Sequence, residues 1–273
     1  MHFIAVDGGG SGCRAVFADG SGRVIGRGES GPANIASDYD EARHHIFTAI
    51  ETAMGTIDAR EIRAVLGLAG ANHASAAEAL AADLPFPARV VQDVTTSVRG
   101  ALGPEDGIVA AIGTGSFFAR QLDGEQHAIG GWGLRLGDEG SGAWIGRALG
   151  MRAGRALDGF CAVTPLLREL LEEMDGRNGL IAFSLDATPA DWARFAPRIL
   201  QSTDPAAVAV RDAAQAEIRA AIALLQPEEP LPVTWLGGLG EGLALGDWPQ
   251  RAAKGNALGG ALALAMEDAF WTS

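Results

Sequence analysis

The sequence predicts an α/β protein made of two similar halves, each a mixed β-sheet with helices on its faces. Runs typical of strands and helices alternate in the first half in the order βββαβαβα. Residues 107–129 then repeat the strand, glycine turn, strand, turn, strand pattern of residues 2–28, as a duplicated domain would. Glycine makes up 38 of the 273 residues, so turns or close backbone approaches are numerous.

Each element of the first half has local support in the sequence. Residues 2–7 read as a buried strand that three glycines end, and a second glycine turn at 20–22 separates the next two strands. The remaining hydrophobic patterns predict helices and strands in alternation. The predicted strands are 2–7, 14–19, 23–28, 63–69 and 88–93, and the predicted helices are 39–54, 74–82 and 94–102.

The second half continues with three strands and then becomes mostly helical. Strands are predicted at 107–112, 117–121, 126–129 and 232–236, and helices at 143–157, 164–174, 190–201, 205–225 and 256–270. The last helix contains Gly259 and Gly260, each of which lowers helix stability by roughly 1 kcal/mol relative to alanine. This pair therefore predicts close packing at that point.

Charge and composition exclude several classes of function. Asp and Glu outnumber Lys and Arg by 34 to 21, a net charge of -13, which opposes attraction to nucleic acid or anionic lipid. Lys254 is the only lysine and no P-loop string is present. No apolar run reaches the roughly 20 residues of a membrane span, and no secretory signal precedes the first strand. Cys13 and Cys161 lack metal or disulfide spacing, so we expect a cytoplasmic protein without nucleic-acid or membrane partners.

Two glycine turns carry features of a phosphate site. Asp7 lies at the end of a strand, where its carboxylate can hold Mg²⁺ through water while the residues after it bind phosphate oxygens. Those residues are Gly8, Gly9, Gly10 and Ser11 in the first half, and the matching uncharged turn of the second half is Gly113, Thr114, Gly115 and Ser116. Each alone is also typical of a plain hairpin turn. Their equivalent places in two half-repeats favour binding of the two ends of a triphosphate.

Two further strand ends offer chemistry. Gly237, Gly238 and Gly240 form a third glycine turn, suited either to a flat base lying against bare backbone or to a simple helix start. Asp93 is predicted at the carboxyl end of a strand, where open α/β sheets place ligands. A carboxylate there can accept a hydroxyl proton as a kinase base does, and a helix N-cap role is compatible with it.

The stretch from Gly130 to Gly142 is the most informative in the chain. Trp132 offers an aromatic face, Asp138 and Ser141 offer hydrogen-bonding groups, and a helix begins directly afterwards. Such a set suits a small polyol ligand. A capped helix start would explain Asp138 and Ser141 but would leave Trp132 unexplained.

Taken together and in order, these motifs resemble those of the N-acetylglucosamine and glucosamine kinases. These kinases lie within a larger group of ATPases that includes the activators of benzoyl-CoA reductase and 2-hydroxyglutaryl-CoA dehydratase. The resemblance implies the actin/hexokinase/Hsp70 fold, with duplicated ribonuclease H-like domains around an inter-domain cleft. It further implies an N-terminal domain of residues 1–102 plus 259–273, and a second domain of residues 103–258 with a helical insertion.

The resemblance also implies roles for single residues. It implies that Asp7 to Ser11 is the first phosphate loop, that residues 112–116 are the second and that residues 237–240 are the adenosine loop. It also implies that Asp93 is the base that accepts the proton of the 6-hydroxyl of an amino sugar. The matched sugar-binding positions are Asn34, Gly133, Asp138 and, more weakly, Asn72. Mg²⁺ with ATP is the implied cofactor, and a homodimer is common in such folds. Many relatives have Thr-Lys-Thr where this chain has Ser11-Gly-Cys-Arg14, which leaves open which side chain, if any, supports the phosphate loop.

Two other functions remain open at this stage. An activator-type ATPase coupled to electron transfer would need cysteines from two subunits to share an iron–sulfur cluster. A sugar-sensing protein would bind its ligands without turnover. Within the kinase hypothesis, the sequence leaves glucosamine, N-acetylglucosamine and a muramic acid relative as alternative substrates.

Overall fold

Two β-sheets organise the chain, one in each of two units. Unit 1 comprises Met1–Glu105 and Ala252–Ser273, and unit 2 comprises Asp106–Arg251. The computed structural model describes residues 1–57 and 61–272. The domain limits 1–102 plus 259–273 and 103–258 stay predictions, and residues 58–60 and 273 of the first range lie outside the described residues.

Unit 1 has a five-stranded mixed sheet of order β3-β2-β1-β4-β5. The first three strands pair antiparallel, while the last two join the other side of β1 in parallel. The strands are β1 (His2–Gly9), β2 (Gly12–Ala18), β3 (Val24–Ser30), β4 (Ile62–Leu68) and β5 (Ala88–Gln92). Helices α1 (Tyr39–Met54), α2 (Ala74–Asp83) and α3 (Asp93–Leu102) follow β3, β4 and β5. The predicted order βββαβαβα is confirmed.

Alternate residues of β1 support hydrophobic cores on both faces of this sheet. Ile4 and Val6 pack with the residues of α1 and α2, whereas Phe3 and Ala5 pack with Ala261 of a C-terminal helix. This helix is α11 (Ala257–Met266). Because successive strand residues point to opposite faces, a nearly continuous apolar strand is what a sheet covered on both sides requires.

Glycines allow α11 to lie directly on α3. A Cβ at Gly260 would be 2.0 Å from the carbonyl oxygen of Thr96, and a Cβ at Gly100 would be 2.0 Å from that of Asn256. Both obstacles are backbone atoms, so neither glycine accepts a side chain unless the helices separate. The predicted close packing is therefore confirmed at Gly260. At Gly259 the nearest atom would be 3.5 Å away, an ordinary contact.

Arginines of unit 1 hold the C-terminal residues. Arg99 of α3 donates to Glu267 at 2.7 Å, and Arg63 of β4 donates to Asp268 at 2.7 Å. Arg89 of β5 stacks on the rings of the last helix, α12 (Asp268–Thr272). The end of the chain is thus attached to both α3 and the strands beside it.

Unit 2 repeats the strand arrangement of unit 1. Its sheet has the order β8-β7-β6-β9, with three antiparallel strands and one parallel strand on the far side of the first. The strands are β6 (Gly107–Ile112), β7 (Ser116–Leu122), β8 (Glu125–Gly130) and β9 (Val233–Leu236). Strands β6, β7, β8 and β9 are arranged as β1, β2, β3 and β4 are, in that order. The duplication predicted from the glycine-turn pattern is confirmed.

Helices between β8 and β9 build the single large core of unit 2, in which Ile108 and Ile112 of β6 pack with Leu149 and Ile218. The helices are α4 (Gly142–Leu157), α5 (Pro165–Glu173), α6 (Gly176–Asp186), α7 (Pro189–Ala193), α8 (Ala196–Gln201) and α9 (Pro205–Leu225), with α10 (Gly240–Leu243) after β9. Helix α6 was not predicted, and the predicted helix 190–201 is two short helices. Within the described residues, no helix is both long and apolar enough to cross a membrane.

Candidate active site

The β1–β2 hairpin of unit 1 combines a carboxylate with accessible backbone. Asp7 is the third residue from the end of β1, and its side chain is 18% exposed. A Cβ at Gly8 would be 2.7 Å from Leu68 Cδ2, so this glycine is needed for packing. A Cβ at Gly9 or Gly10 would meet no atom of the described residues within 4 Å. The space beside these two glycines is therefore open, as a phosphate site requires, although the Gly9 carbonyl already accepts the Ala33 amide at 2.8 Å.

Asp93 is the first residue of α3, since β5 ends one residue earlier, at Gln92. Its Oδ1 accepts a hydrogen bond of 2.9 Å from the Val94 amide. Burial raises the pKa of this carboxyl, the Val94 amide lowers it, and the negative charge of Asp7 raises it again. Asp7 pairs with Gly67 of β4, and Gly67 pairs with Val91 of β5, so Asp7 and Asp93 lie at the same edge of the unit 1 sheet.

Thr96 fixes the first turn of α3 against the sheet. Its side chain is fully buried, and its Oγ1 donates to the carbonyl oxygen of Asp93 at 3.0 Å. The same Oγ1 would lie 2.1 Å from a Cβ at Gly67, a residue of β4. Glycine at position 67 therefore lets α3 approach β4 closely, and this approach sets the position of Asp93.

The loop that contains Asn34 is joined by backbone hydrogen bonds to the hairpin and to the end of β4. The Ala33 amide donates to the carbonyl of Gly9 at 2.8 Å, and the Ile35 amide donates to that of Ala69 at 3.2 Å. A Cβ at Gly70, where φ is +84°, would be 2.6 Å from Asn34 Oδ1. The structure thus brings Asn34 beside the hairpin. Asn72 is exposed, two residues beyond Gly70.

Three segments of unit 2 meet at the second glycine hairpin. The amides of Gly142 and Ala143, at the start of α4, donate to the carbonyls of Gly113 and Thr114 at 2.9 and 3.1 Å. The turn after β9 lies on the same hairpin, because a Cβ at Gly237 would be 2.3 Å from the Ile112 carbonyl oxygen. The sequence-predicted second phosphate loop and adenosine loop are therefore neighbours. Gly237 and Gly238 are exposed, whereas Gly240 is buried against Trp235.

Asp138 joins the Gly130–Gly142 loop to the hairpin. Its Oδ1 accepts a hydrogen bond of 3.0 Å from the Gly133 amide, and its Oδ2 would lie 2.8 Å from a Cβ at Gly115. Burial raises the pKa of this carboxyl, while the Gly133 and Ser116 amides lower it. The side chain of Ser116 also donates to the Glu139 carbonyl, at 2.9 Å. The loop is thus held in place by a buried carboxylate.

The other two residues predicted from this loop differ sharply in exposure. Ser141 is fully buried and is the N-cap of α4, since its Oγ accepts from the Trp144 amide at 3.1 Å. Trp132 is 72% exposed. A large exposed indole beside a buried, ordered loop has no packing explanation in unit 2, and this is consistent with contact to a ligand.

The donor set suits Mg²⁺ that arrives with a nucleotide better than a resident metal. Among the described residues, no group of three or more His, Cys, Asp or Glu side chains could hold a metal ion. Mg²⁺ usually keeps several waters and is bound through one or two carboxylates plus substrate phosphates. Asp7, a single strand-end carboxylate beside open backbone, fits that coordination.

Sequence reasoning missed the contacts that position these residues. Arg14 Nη2 donates to Asp7 Oδ2 at 2.6 Å, and the two residues face each other across the β1–β2 pair. Equal spacing about the glycine turn could have predicted this pair. The approach of Thr96 to Gly67 carries no such local signal, because it depends on how α3 packs on β4.

Comparison with known proteins finds similarity along most of the chain. A glucosamine kinase of Vibrio cholerae is 28% identical over 258 residues, 90% of this chain and 87% of that protein. A crystal structure from Chromobacterium violaceum, of a protein provisionally assigned as an N-acetylglucosamine kinase, has 31% identity and a TM-score of 0.85, covering 97% of this chain and 99% of that one. A ROK family glucokinase from Streptomyces griseus, solved with glucose and AMPPNP, shares the fold at 17% identity, a TM-score of 0.56 and full coverage of both chains.

The duplicated sheets and these structural neighbours define a two-domain protein of the actin/hexokinase-like fold. Residues 4–231 match the BadF/BadG/BcrA/BcrD ATPase family. The chain belongs to that family.

Proposed function

We propose that this protein is an ATP-dependent amino-sugar kinase that phosphorylates the 6-hydroxyl of N-acetylglucosamine or glucosamine. The observation that carries the proposal is Asp93, a half-buried carboxyl of raised pKa at the same sheet edge as Asp7 and the open glycine hairpin. The similarity to glucosamine and N-acetylglucosamine kinases supports the substrate class.

In this proposal Asp93 is the general base. Its carboxylate accepts the proton of the sugar hydroxyl as the hydroxyl oxygen attacks the γ-phosphorus of ATP and the bond to the bridging oxygen of ADP breaks. A raised pKa favours this role, because a carboxylate of higher pKa is a stronger base. Thr96 and Gly67 keep Asp93 in place through the first turn of α3.

The nucleotide-binding roles fall to backbone groups of three glycine turns. The hairpin after Asp7 and the hairpin before β7 bind phosphate oxygens, and the turn after β9 accepts the adenosine. Mg²⁺, when bound with ATP, neutralises charge on the phosphates, and Asp7 holds it through water. The backbone residues in these roles are Gly8, Gly9, Gly10, Ser11, Gly113, Thr114, Gly115, Ser116, Gly237, Gly238 and Gly240.

The sugar-binding roles fall to three loops. Asn34 and Asn72 belong to two of them, and the Gly130–Gly142 loop supplies Trp132, Gly133 and Asp138. Ser141, predicted with them, is fully buried as the N-cap of α4, so its role is to hold this loop for sugar binding. Asp138 already accepts a hydrogen bond from Gly133, so we assign it a double role of ordering the loop and binding sugar hydroxyls. Trp132 offers an apolar face for the substituent at carbon 2, which slightly favours the acetylated sugar.

A redox-activator function is less well supported by the cysteines. Burial, with a smaller effect of Asp7, raises the pKa of the Cys13 thiol to about 12. Cys161 is half-buried, with its Sγ 3.9 Å from the Arg152 carbonyl oxygen. A cluster shared between subunits needs accessible thiolates, which Cys13 does not provide.

The test is a coupled ADP-release assay with Mg-ATP and a panel of hexoses and amino sugars. We expect N-acetylglucosamine or glucosamine to stimulate ADP release, and Asp93→Asn to lower kcat by about 10²–10⁴-fold with nearly unchanged nucleotide affinity. If no sugar of the panel stimulates ADP release, the kinase proposal is wrong. If Asp93→Asn turns over normally, the assignment of the base is wrong.

A further inference from the structure

Arg14 is paired with Asp7, the carboxylate that holds Mg²⁺ through water in the proposed function. Asp7 and Arg14 are directly opposed on β1 and β2, and Arg14 Nη2 lies 2.6 Å from Asp7 Oδ2. The Arg14 side chain is 60% exposed, so its guanidinium can also reach solvent and ligand. A guanidinium carries several N–H donors in a planar fork, and one of them is enough for the contact with Asp7.

Arg14 also places a cation on the open hairpin itself. The only lysine of the chain, Lys254, is paired with Glu105 instead. No atom of the described residues lies within 4 Å of a Cβ built on Gly9 or Gly10, so the space on this turn is open to a phosphate. A phosphate bound there would lie on the hairpin whose second strand begins with Gly12, Cys13 and Arg14.

We propose that Arg14 is a nucleotide-binding residue that exchanges partners. Without nucleotide it pairs with Asp7. When Mg-ATP binds, the metal and its waters take up the Asp7 carboxylate, and the released guanidinium donates to a phosphate oxygen. This inference rests on the proposed nucleotide site but not on which sugar is phosphorylated.

The physical basis is competition for one carboxylate oxygen. A hydrated divalent cation beside Asp7 repels the guanidinium, whereas the incoming phosphates attract it. The Asp7–Arg14 pair is largely solvated on the arginine side, so breaking it costs little. A charge-assisted hydrogen bond to a phosphate oxygen replaces the one to Asp7, so the guanidinium keeps an anionic partner after the exchange.

The first experiment measures binding of Mg-ADP by isothermal titration calorimetry, without turnover. We expect Arg14→Gln to weaken binding by about 10–100-fold, the effect of losing a hydrogen bond between charged groups. Arg14→Lys keeps the charge but loses the fork, and it should fall between parent and Arg14→Gln. The matched control is Arg23→Gln, because Arg23 pairs with Asp19 at 3.0 Å on the far turn of the same three strands. This control should bind within about twofold of the parent.

The second experiment tests the exchange itself with ADP in the presence of EDTA. Asp7→Asn frees Arg14, so metal-free ADP should bind more tightly to this variant than to the parent. The same substitution in the Arg14→Gln background removes only the repulsion between Asp7 and phosphate, and it should give a smaller gain. Equal gains in the two backgrounds would overturn partner exchange.

The outcomes separate this inference from the proposed function. If Arg14→Gln and Arg14→Lys fold with the parent's circular dichroism and bind Mg-ADP like the parent, Arg14 is not a nucleotide ligand. That result leaves the kinase proposal intact when the parent phosphorylates an amino sugar. Conversely, weakened Mg-ADP binding in a protein that phosphorylates no sugar supports the role of Arg14 and rejects the kinase proposal. A parent protein that fails to bind Mg-ADP overturns both.

Discussion

Adjacent glycines in α11 give opposite expectations for the same substitution. In Gly260→Ala, the new Cβ would lie 2.0 Å from the Thr96 carbonyl oxygen, whereas ordinary contacts begin at 3.4 Å. Helices α11 and α3 must therefore separate by about 1.4 Å at this point. In Gly259→Ala the nearest atom would be 3.5 Å away, so nothing has to move.

The stability effects follow from two opposing contributions. Overpacking costs about 1–3 kcal/mol, and replacing a helical glycine by alanine recovers roughly 0.5–1 kcal/mol. We expect Gly260→Ala to lower the free energy of unfolding by about 0.5–2 kcal/mol and Gly259→Ala to raise it by about 0.5–1 kcal/mol. For a chain of this size the melting temperatures should move in opposite directions by a few degrees, at roughly 2–4 °C per kcal/mol.

The kinetics of Gly260→Ala and Gly259→Ala test whether the crossing of α3 and α11 positions Asp93, the proposed base. Asp93 begins the helix that Gly260→Ala displaces, and a misplacement of about 1 Å can reduce a rate by about 10²-fold. We expect kcat to fall by about 10–100-fold in Gly260→Ala, with little change in the KM for ATP, while Gly259→Ala keeps the parent's kcat. Thermal melts and ADP-release kinetics of both variants are the assays. Equal melting temperatures and equal kcat values for the two variants would refute the reasoning.

Three further predictions concern Asp93, Asp138 and Trp132. Since burial raises the pKa of Asp93, kcat/KM should fall as pH falls through a value above the ordinary 3.8. Proton binding by Asp93 stabilises the fold in acid, and this stabilisation is lost as pH rises through the raised pKa. Asp93→Asn should therefore melt at a higher temperature than the parent at neutral pH and at the same temperature in acid. Asp138→Ala leaves the Gly133 amide without its acceptor and puts alanine at a backbone φ of +60°, which Asp and Asn tolerate better. It should therefore melt at a lower temperature than Asp138→Asn. It should also raise the KM for the sugar more than the KM for ATP. Trp132→Ala should leave stability nearly unchanged, because the side chain is 72% exposed, but change the ratio of kcat/KM for N-acetylglucosamine to that for glucosamine.

Each of these has a direct contrary result. An acidic limb of kcat/KM at the ordinary aspartate pKa, or a lower melting temperature for Asp93→Asn at neutral pH, would mean that burial does not control this carboxyl. Equal melting temperatures for the two Asp138 variants would remove its role in ordering the loop. An unchanged substrate ratio in Trp132→Ala would exclude this residue from sugar selection.

The strands and most helices were predictable because their limits are local. Hydrophobic runs between glycine turns predicted the order of strands in both units. Strand β1 starts where predicted but continues beyond residue 7 to Gly9, because the hairpin pairs Gly9 with Gly12. Helix α6 escaped prediction because it begins at Gly176 after a left-handed Asp175 and buries only Leu180. Its sequence lacks a periodic apolar face.

The candidate site was predictable in its parts but not in its support. Carboxylates at strand ends and glycine turns identified Asp7, Asp93 and the hairpins, since these features lie within a few residues of each other. The contacts that position them join distant segments. Arg99 and Glu267 are 168 residues apart, and the crossing of α3 with α11 depends on two glycines in different helices. No local pattern in the sequence specifies such pairs.

The most direct test of the central claim is identification of the product. The protein is incubated with Mg-ATP and either N-acetylglucosamine or glucosamine, and the phosphorylated sugar is analysed by ³¹P–¹H correlation NMR alongside ADP release. We predict one phosphate per ADP formed, coupled to the protons of carbon 6, with formation of this product greatly reduced in Asp93→Asn. ADP formed without a phosphorylated sugar, or a phosphate on another carbon, would contradict the claim.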